Sequence, residues 1–324
     1  MARSVPATCR FSDVGKSKRN SGPKPGSNRA AKLAERRAAQ ESAAAAAVPR
    51  PFEGLAAECD LVAMREFVPS ATATLPLTGG ERTVVAATVL PGAVAGLVRD
   101  ETTATSGGTS AATGFVGLQV PGQSADLSAD LAAAVNWAAG AEPGQSLAAT
   151  DAQPGGPRLG DVIEADTLLE ISVFQDFNWW IPEGVTPAPE VAATVEQANS
   201  VIMPSARLDG EGIVAAWWVD AGEKAHLRWV RPEDEDQLML ALARVHAAGG
   251  LHLGEGSRYA GSFRTHGLLV PVFDLDPERH AQEWAPATAE LGLRLADALA
   301  VDAPLTSDEL RSRDGLRARQ VTLR

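Results

Sequence analysis

The sequence predicts an α/β (α+β) body of two tandem repeats, each laid out strand-strand-strand-helix-strand-helix, behind a disordered basic arm. Three observations predict it. Short runs rich in Val, Ile, Thr and Phe, bounded by Gly and Pro, alternate with Ala- and Leu-rich stretches of helical period. That order of elements occurs twice, and pairs such as Arg158 and Arg258, or Leu168 and Leu268, stand 100 positions apart. The first 50 residues differ in kind: eleven Lys/Arg against three Asp/Glu give +8, while the remaining residues carry −20 and the whole chain −12. The expected domains are the arm over 1–50, a first repeat over 51–200, a second over 201–306 and a short charged tail over 307–324.

Within the arm, residues 1–29 are rich in Lys, Arg, Gly and Pro and have too few apolar groups to bury. Residues 30–47 are Ala-rich and helix-permissive, but only Leu33 offers an apolar contact, so a helix there is marginal alone. Pro49 and Pro51 close the arm. In the first repeat, strands are expected over 68–75 and 83–90, broken by Thr78-Gly79-Gly80. A mobile loop follows over 101–114 and a strand over 115–120. Leu127 to Ala139 reads as a helix stopped by Gly140; residues 168–174 read as a buried strand and 190–199 as a helix.

The second repeat opens with a strand over 201–208. Residues 213–219 and 225–230 form a hairpin around Asp220-Ala221-Gly222-Glu223. A helix begins at Pro232 with Glu233 to Asp236 in its first turn, where carboxylates favour the helix dipole, and Gly249-Gly250 end it. The apolar run 267–275 contains Pro271, which points to an edge strand or a bulge. Trp284 to Leu299 is helical, with Leu291, Leu295 and Leu299 in line.

Several functions are excluded at this level. Gly15-Lys16-Ser17 ends like a phosphate-binding loop, but Arg10 stands where that loop needs its first glycine, among prolines and charges. There is no Gly-x-Gly-x-x-Gly run and no Gly-x-Ser-x-Gly elbow. Two cysteines, Cys9 and Cys59, make neither a disulfide framework nor a four-thiolate zinc site. His246, His252 and His266 lack the compact spacing of a metal motif. No cofactor and no metal are therefore expected. The most apolar uncharged run, between Arg82 and Arg99, is interrupted by Pro91-Gly92 and is shorter than a membrane span. With no secretory leader either, the expected location is the cytoplasm.

The candidate site lies in the second repeat, which holds all five histidines. Arg228, Arg258, Arg264 and His266 would clamp an anion, with Glu255 as base or counter-ion. The competing reading makes Arg258 a structural cap on backbone carbonyls. The second candidate is the arm, where Lys16, Lys18, Arg19, Lys24, Arg29, Lys32, Arg36 and Arg37 would meet a polyanion. Of the tryptophan pairs Trp179-Trp180 and Trp217-Trp218, read as strand neighbours facing opposite ways, one member each is expected in the core and the other against a helix.

Certain phrases are characteristic as they stand: Pro51-Phe52-Glu53-Gly54-Leu55, Glu58-Cys59-Asp60-Leu61-Val62, His226-Leu227-Arg228-Trp229-Val230 and Leu253-Gly254-Glu255-Gly256-Ser257-Arg258. With Arg65 to Ala73, His266 to Val272 and the ending Arg319-Gln320-Val321-Thr322-Leu323-Arg324, they span nearly the whole body. In them the chain resembles an uncharacterised family of actinobacterial cytoplasmic proteins, a domain of unknown function whose members often carry a preprotein translocase SecA label. The resemblance implies no catalytic residues, and a SecA motor needs a phosphate-binding loop that this sequence lacks. The expected function is a non-enzymatic interaction protein whose arm contacts nucleic acid, the ribosome or an anionic membrane surface. The alternatives are an enzyme or small-anion binder using the second-repeat cluster, and an accessory to protein translocation, which rests on the family label.

Overall fold

The computed structural model describes Lys32 and residues 48–100, 112–121, 124–153, 155–182 and 184–322. From Ala47 onward the chain forms one compact unit. Its first half builds a mixed six-stranded sheet from β1 (Ala71–Thr74), β2 (Val84–Ala87), β3 (Gly96–Asp100), β4 (Ala112–Gly117), β5 (Ser146–Leu147) and β6 (Ile171–Val173). Their order is β5-β3-β4-β2-β1-β6, antiparallel except for the β2–β4 pair. The second half builds another from β7 (Ser205–Arg207), β8 (Ala216–Asp220), β9 (Ala225–Trp229), β10 (Ser257–Thr265), β11 (Leu268–Leu275) and β12 (Gln320–Thr322). There the order is β12-β10-β11-β9-β8-β7, with only β10–β12 parallel.

The described residues hold six α-helices: α1 (Glu58–Glu66), α2 (Leu127–Gly140), α3 (Pro189–Asn199), α4 (Glu235–Ala247), α5 (Ala285–Leu299) and α6 (Ser307–Arg317). None is long and apolar enough to cross a membrane. The expected helices appear where sequence places them because their ends are local chemistry. Asp126 accepts hydrogen bonds from Ser128 and Ala129 at the start of α2, and Asp234 does the same for Asp236 and Gln237 at α4. α2 lies so close to β4 that a side chain at Gly114 would meet the Ala138 carbonyl at 2.8 Å.

Helix α1 was not legible, because it has no amphipathic stripe. Every residue from Glu58 to Met64 is buried, the two carboxylates included. It packs between the sheets, sharing one core with Ala71, Ala73, Val84, Ala86 and Val116 of the first and Trp217, Val230, Leu268 and Val270 of the second. Its charges are matched from both sides. Arg50 grips Glu58 with two hydrogen bonds of 2.6 and 2.7 Å, and Arg207 on β7 grips Asp60 with two of 3.1 and 3.0 Å. The opposite face of the second sheet, with Leu227, Trp229, Leu269 and Phe273, is covered by α4 and α5.

The two halves follow the expected order once β3, β5 and β10 are set aside, but they do not share the strand pairing. β6 sits at an edge beside β1, whereas β11, its counterpart at the 100-residue offset, lies inside its sheet between β9 and β10. Leu168 is 60% exposed and Leu268 fully buried, so the offset joins residues in unlike places. The run 168–174 is thus not a buried strand; β6 is short and half-exposed. Nor is β11 an edge strand. Its ladder to β9 stops at Val272 and resumes as the single Arg231–Leu269 bridge, so the donor missing at Pro271 falls in the break. Residues 307–322, read from sequence as a tail, carry α6 and β12. Most of the loop expected over 101–114 lies outside the described residues, as does the arm apart from Lys32 and residues 48–50; residues 112–114 begin β4. Arg50, counted with the arm, belongs to the body: besides Glu58 it binds the Pro232 carbonyl at 2.8 Å.

Candidate functional site

Alternation along β9 builds the site. Ala225, Leu227 and Trp229 point into the core under α4 and α5, so Lys224, His226 and Arg228 project from the opposite face. Asp274 projects from the same face of β11, because its neighbours Phe273 and Leu275 are buried in that core. Asp274 pairs with His226 on one side and with Arg258 of β10 on the other. Its carboxylate lies against all three side chains. One oxygen accepts from Arg258 at 2.7 Å and from Lys224 at 2.9 Å; the other lies 3.2 Å from His226 Nδ1. Burial alone would raise the Asp274 pKa, but the hydrogen bonds from Arg258 and Lys224, with the nearby charges of Lys224 and His226, hold it below the ordinary carboxylate value.

One step further along β9, the Arg228 guanidinium lies 5.4 Å from the centre of the Phe67 ring. Burial lowers its pKa, and it has no hydrogen-bonded acceptor or carboxylate partner among the described residues. The depression over this face has a volume of about 470 Å³ and is lined by Lys224, Gly256, Ser257, Arg258, Asp274 and Asp276.

The five residues expected to converge do not all do so. Arg258 is exposed and salt-bridged to Asp274, so it is not the carbonyl cap of the structural alternative. That role belongs to Arg158, which binds the Pro51 carbonyl at 3.0 Å. Arg264 turns to the other face and pairs with Glu235 at the start of α4. The cause is a β-bulge between Tyr259 and Gly261: one extra residue reverses the alternation, so Arg258 and Arg264, both even-numbered, face opposite ways. His266 occupies the β10–β11 turn and bonds Glu66 of α1 at 2.7 Å. With φ of +47° and +75°, His266-Gly267 forms the tight turn that suits a two-residue hairpin. Glu255 is exposed, and its backbone carbonyl accepts from Arg279 at 3.3 Å. Sequence reasoning did not single out Lys224 or Asp274. Asp274 is the one charged residue within the apolar run Leu268–Leu275, which is the mark by which it stands out.

Of the arm residues, Lys16, Lys18, Arg19, Lys24, Arg29, Arg36 and Arg37 lie outside the described residues, and Lys32 is helical and exposed. The tryptophans serve packing. Trp217 is fully buried, but Trp179 and Trp180 lie in a 3₁₀ turn and not on a strand, both only partly buried, and donate their ring N–H groups to Ser70 and to the Val89 carbonyl.

Around Asp274 the side chains are mainly charged, and the Ser257 hydroxyl that lines the depression is bonded to backbone. The Ser257 hydroxyl accepts from the Leu253 N–H and donates to the Gly254 carbonyl. Cys59 is buried elsewhere, its thiol pushed up to about 12, chiefly by burial and then by the charges of Glu58 and Asp60. The other histidines are tied locally: His246 to Ser312, His252 to the Gly254 N–H, and His280 as cap of a short 3₁₀ turn. Among the described residues no three His, Cys, Asp or Glu side chains are grouped to hold a metal ion.

Neither a curated protein nor a solved structure matches the chain. Residues 51–324 do match a family, which takes in the α1 keystone, both sheets and the Asp274 cluster, and the chain therefore belongs to the Family of unknown function (DUF5926).

Proposed function

We propose that this is a cytoplasmic, non-enzymatic interaction protein whose basic N-terminal arm contacts a polyanion: nucleic acid, the ribosome or an anionic membrane surface. The observation that carries this reading is the charge split of +8 over residues 1–50 and −20 over the rest. What supports it is that cations of the body are spent on its own carboxylates, Arg207 on Asp60 and Arg264 on Glu235, as is Arg50, counted in the +8, on Glu58. Attraction for an extended polyanion is left mainly to the arm, where only Phe11 offers an aromatic ring for base stacking. Contacts there are to charge and not to sequence.

The test is binding of labelled RNA, duplex DNA and anionic vesicles by the full chain. The comparison is a variant in which Lys16, Lys18, Arg19, Lys24, Arg29, Lys32, Arg36 and Arg37 are all Gln. With about five phosphates contacted at once, affinity for nucleic acid falls on the order of a hundredfold between 50 and 200 mM salt. Unrelated sequences bind alike, and the Gln variant loses binding. Salt-resistant binding, or equal binding by the Gln variant, refutes the reading.

A further inference from the structure

The Asp274 cluster differs from the other ion pairs of the body in its balance. Arg264 and His266 each have a carboxylate on a neighbouring element, but Lys224, His226 and Arg258 share a single one. Arg228, on the same face and two residues from His226, has none among the described residues. Lys224 and Arg258 line the depression with Asp274 and Asp276, and Arg228 lies beside it on the same face without a carboxylate of its own among the described residues.

We propose that Lys224, His226, Arg228 and Arg258 form a binding site for a phosphate group, with Asp274 as the carboxylate that holds the donors in place. The unspent donors are many. Arg258 uses one of five N–H groups on Asp274 and Lys224 one of three, while Arg228 hydrogen-bonds no described residue. The site is open, since the Arg258 side chain is 73% exposed and that of Lys224 53%. Asp274 sets both against one oxygen, so their remaining N–H groups are held close together at the mouth of the depression before any ligand arrives.

Phosphate fits this array better than a carboxylate does. Donors reach the depression from Lys224, just before β9, and from Arg258 of β10, on either side of β11. Tetrahedral oxygens accept from several directions at once, whereas a planar carboxylate pairs best with one guanidinium fork. Arg228 lies outside the lining but two residues along the same face from His226, and its charge, desolvated against Phe67, acts on an anion through less water than an exposed charge would. No arm residue takes part, so the site stands independently of the polyanion reading.

The experiment is an NMR titration of the full chain with inorganic phosphate against chloride at constant ionic strength. Saturable shifts confined to β9, β10 and β11 are expected. Lys224→Ala with Arg258→Ala, both exposed, should weaken binding by about tenfold or more. The arm variant with eight Gln substitutions should bind phosphate as the parent does. Methyl phosphate and dimethyl phosphate, run in parallel, tell a phosphomonoester metabolite from a phosphodiester backbone, and saturable binding of either supports the site. Undiminished binding by the double variant, shifts scattered over the surface, or tighter binding of succinate than of phosphate overturns the proposal.

Discussion

Arg207→Met should be among the most damaging single substitutions outside the apolar core. Asp60 is 1% exposed and receives two parallel hydrogen bonds from the Arg207 guanidinium, at 3.1 and 3.0 Å. Methionine keeps the apolar stem and removes the fork, leaving a carboxylate inside the layer between the sheets. Orphaning one member of a buried pair costs about 3–5 kcal/mol. The Arg207 side chain is 23% exposed, so water reaches the vacated space and the lower end, about 3 kcal/mol, is expected. That is a large share of the roughly 5–15 kcal/mol typical of a folded domain. Urea unfolding of the single variants and of Arg207→Met with Asp60→Asn measures it. The double variant should recover most of the loss, because a neutral amide is far cheaper to bury than an unpaired carboxylate. A loss below about 1 kcal/mol for the single variant, or a double variant equal to the sum of the singles, would show that the pair does not tie α1 to the second sheet.

Two further outcomes are expected. Glu66 should make stability depend on acid: burial would raise its pKa, but the His266 hydrogen bond and the charges of His266 and Arg65 outweigh burial and lower it. A carboxyl depressed on folding stabilises the fold above its unfolded pKa and loses that contribution as pH falls through the folded value. Glu66→Gln should therefore cost about 1–2 kcal/mol at pH 7 and progressively less below its ordinary pKa of 4.5; a difference in urea midpoint that does not change with pH would sink this. A chain beginning at Val48 should lose less than about 1 kcal/mol, whereas Arg50→Ala, which strands the 5%-exposed Glu58, should cost about 2–4 kcal/mol. Equal thermal shifts for the two would mean that the body does not begin at Val48.

What the sequence determined by itself is whatever short-range chemistry controls. Helices α2, α4 and α5 lie within a few residues of their expected bounds, because caps, Gly stops and apolar period are read over one or two turns. The β8–β9 hairpin follows from its turn, and the charge split needs no fold at all. The membership of the body in a family of unknown function was legible in its phrases, over the residues the family covers. Only the tertiary structure decided the rest. α1 escaped because a helix buried on every side has no stripe to betray it, and its carboxylates read as surface until Arg50 and Arg207 were seen gripping them. Strand order escaped because partners are chosen over long separations, so a similar run of elements was woven into two different sheets. The site was half legible. His226 and Arg228 share a face by simple alternation, but the bulge at Tyr259 and Gly261 sends Arg264 to the far side, and only pairing brings Arg258 to Asp274. A single inserted residue, invisible to periodicity, decides which charges meet.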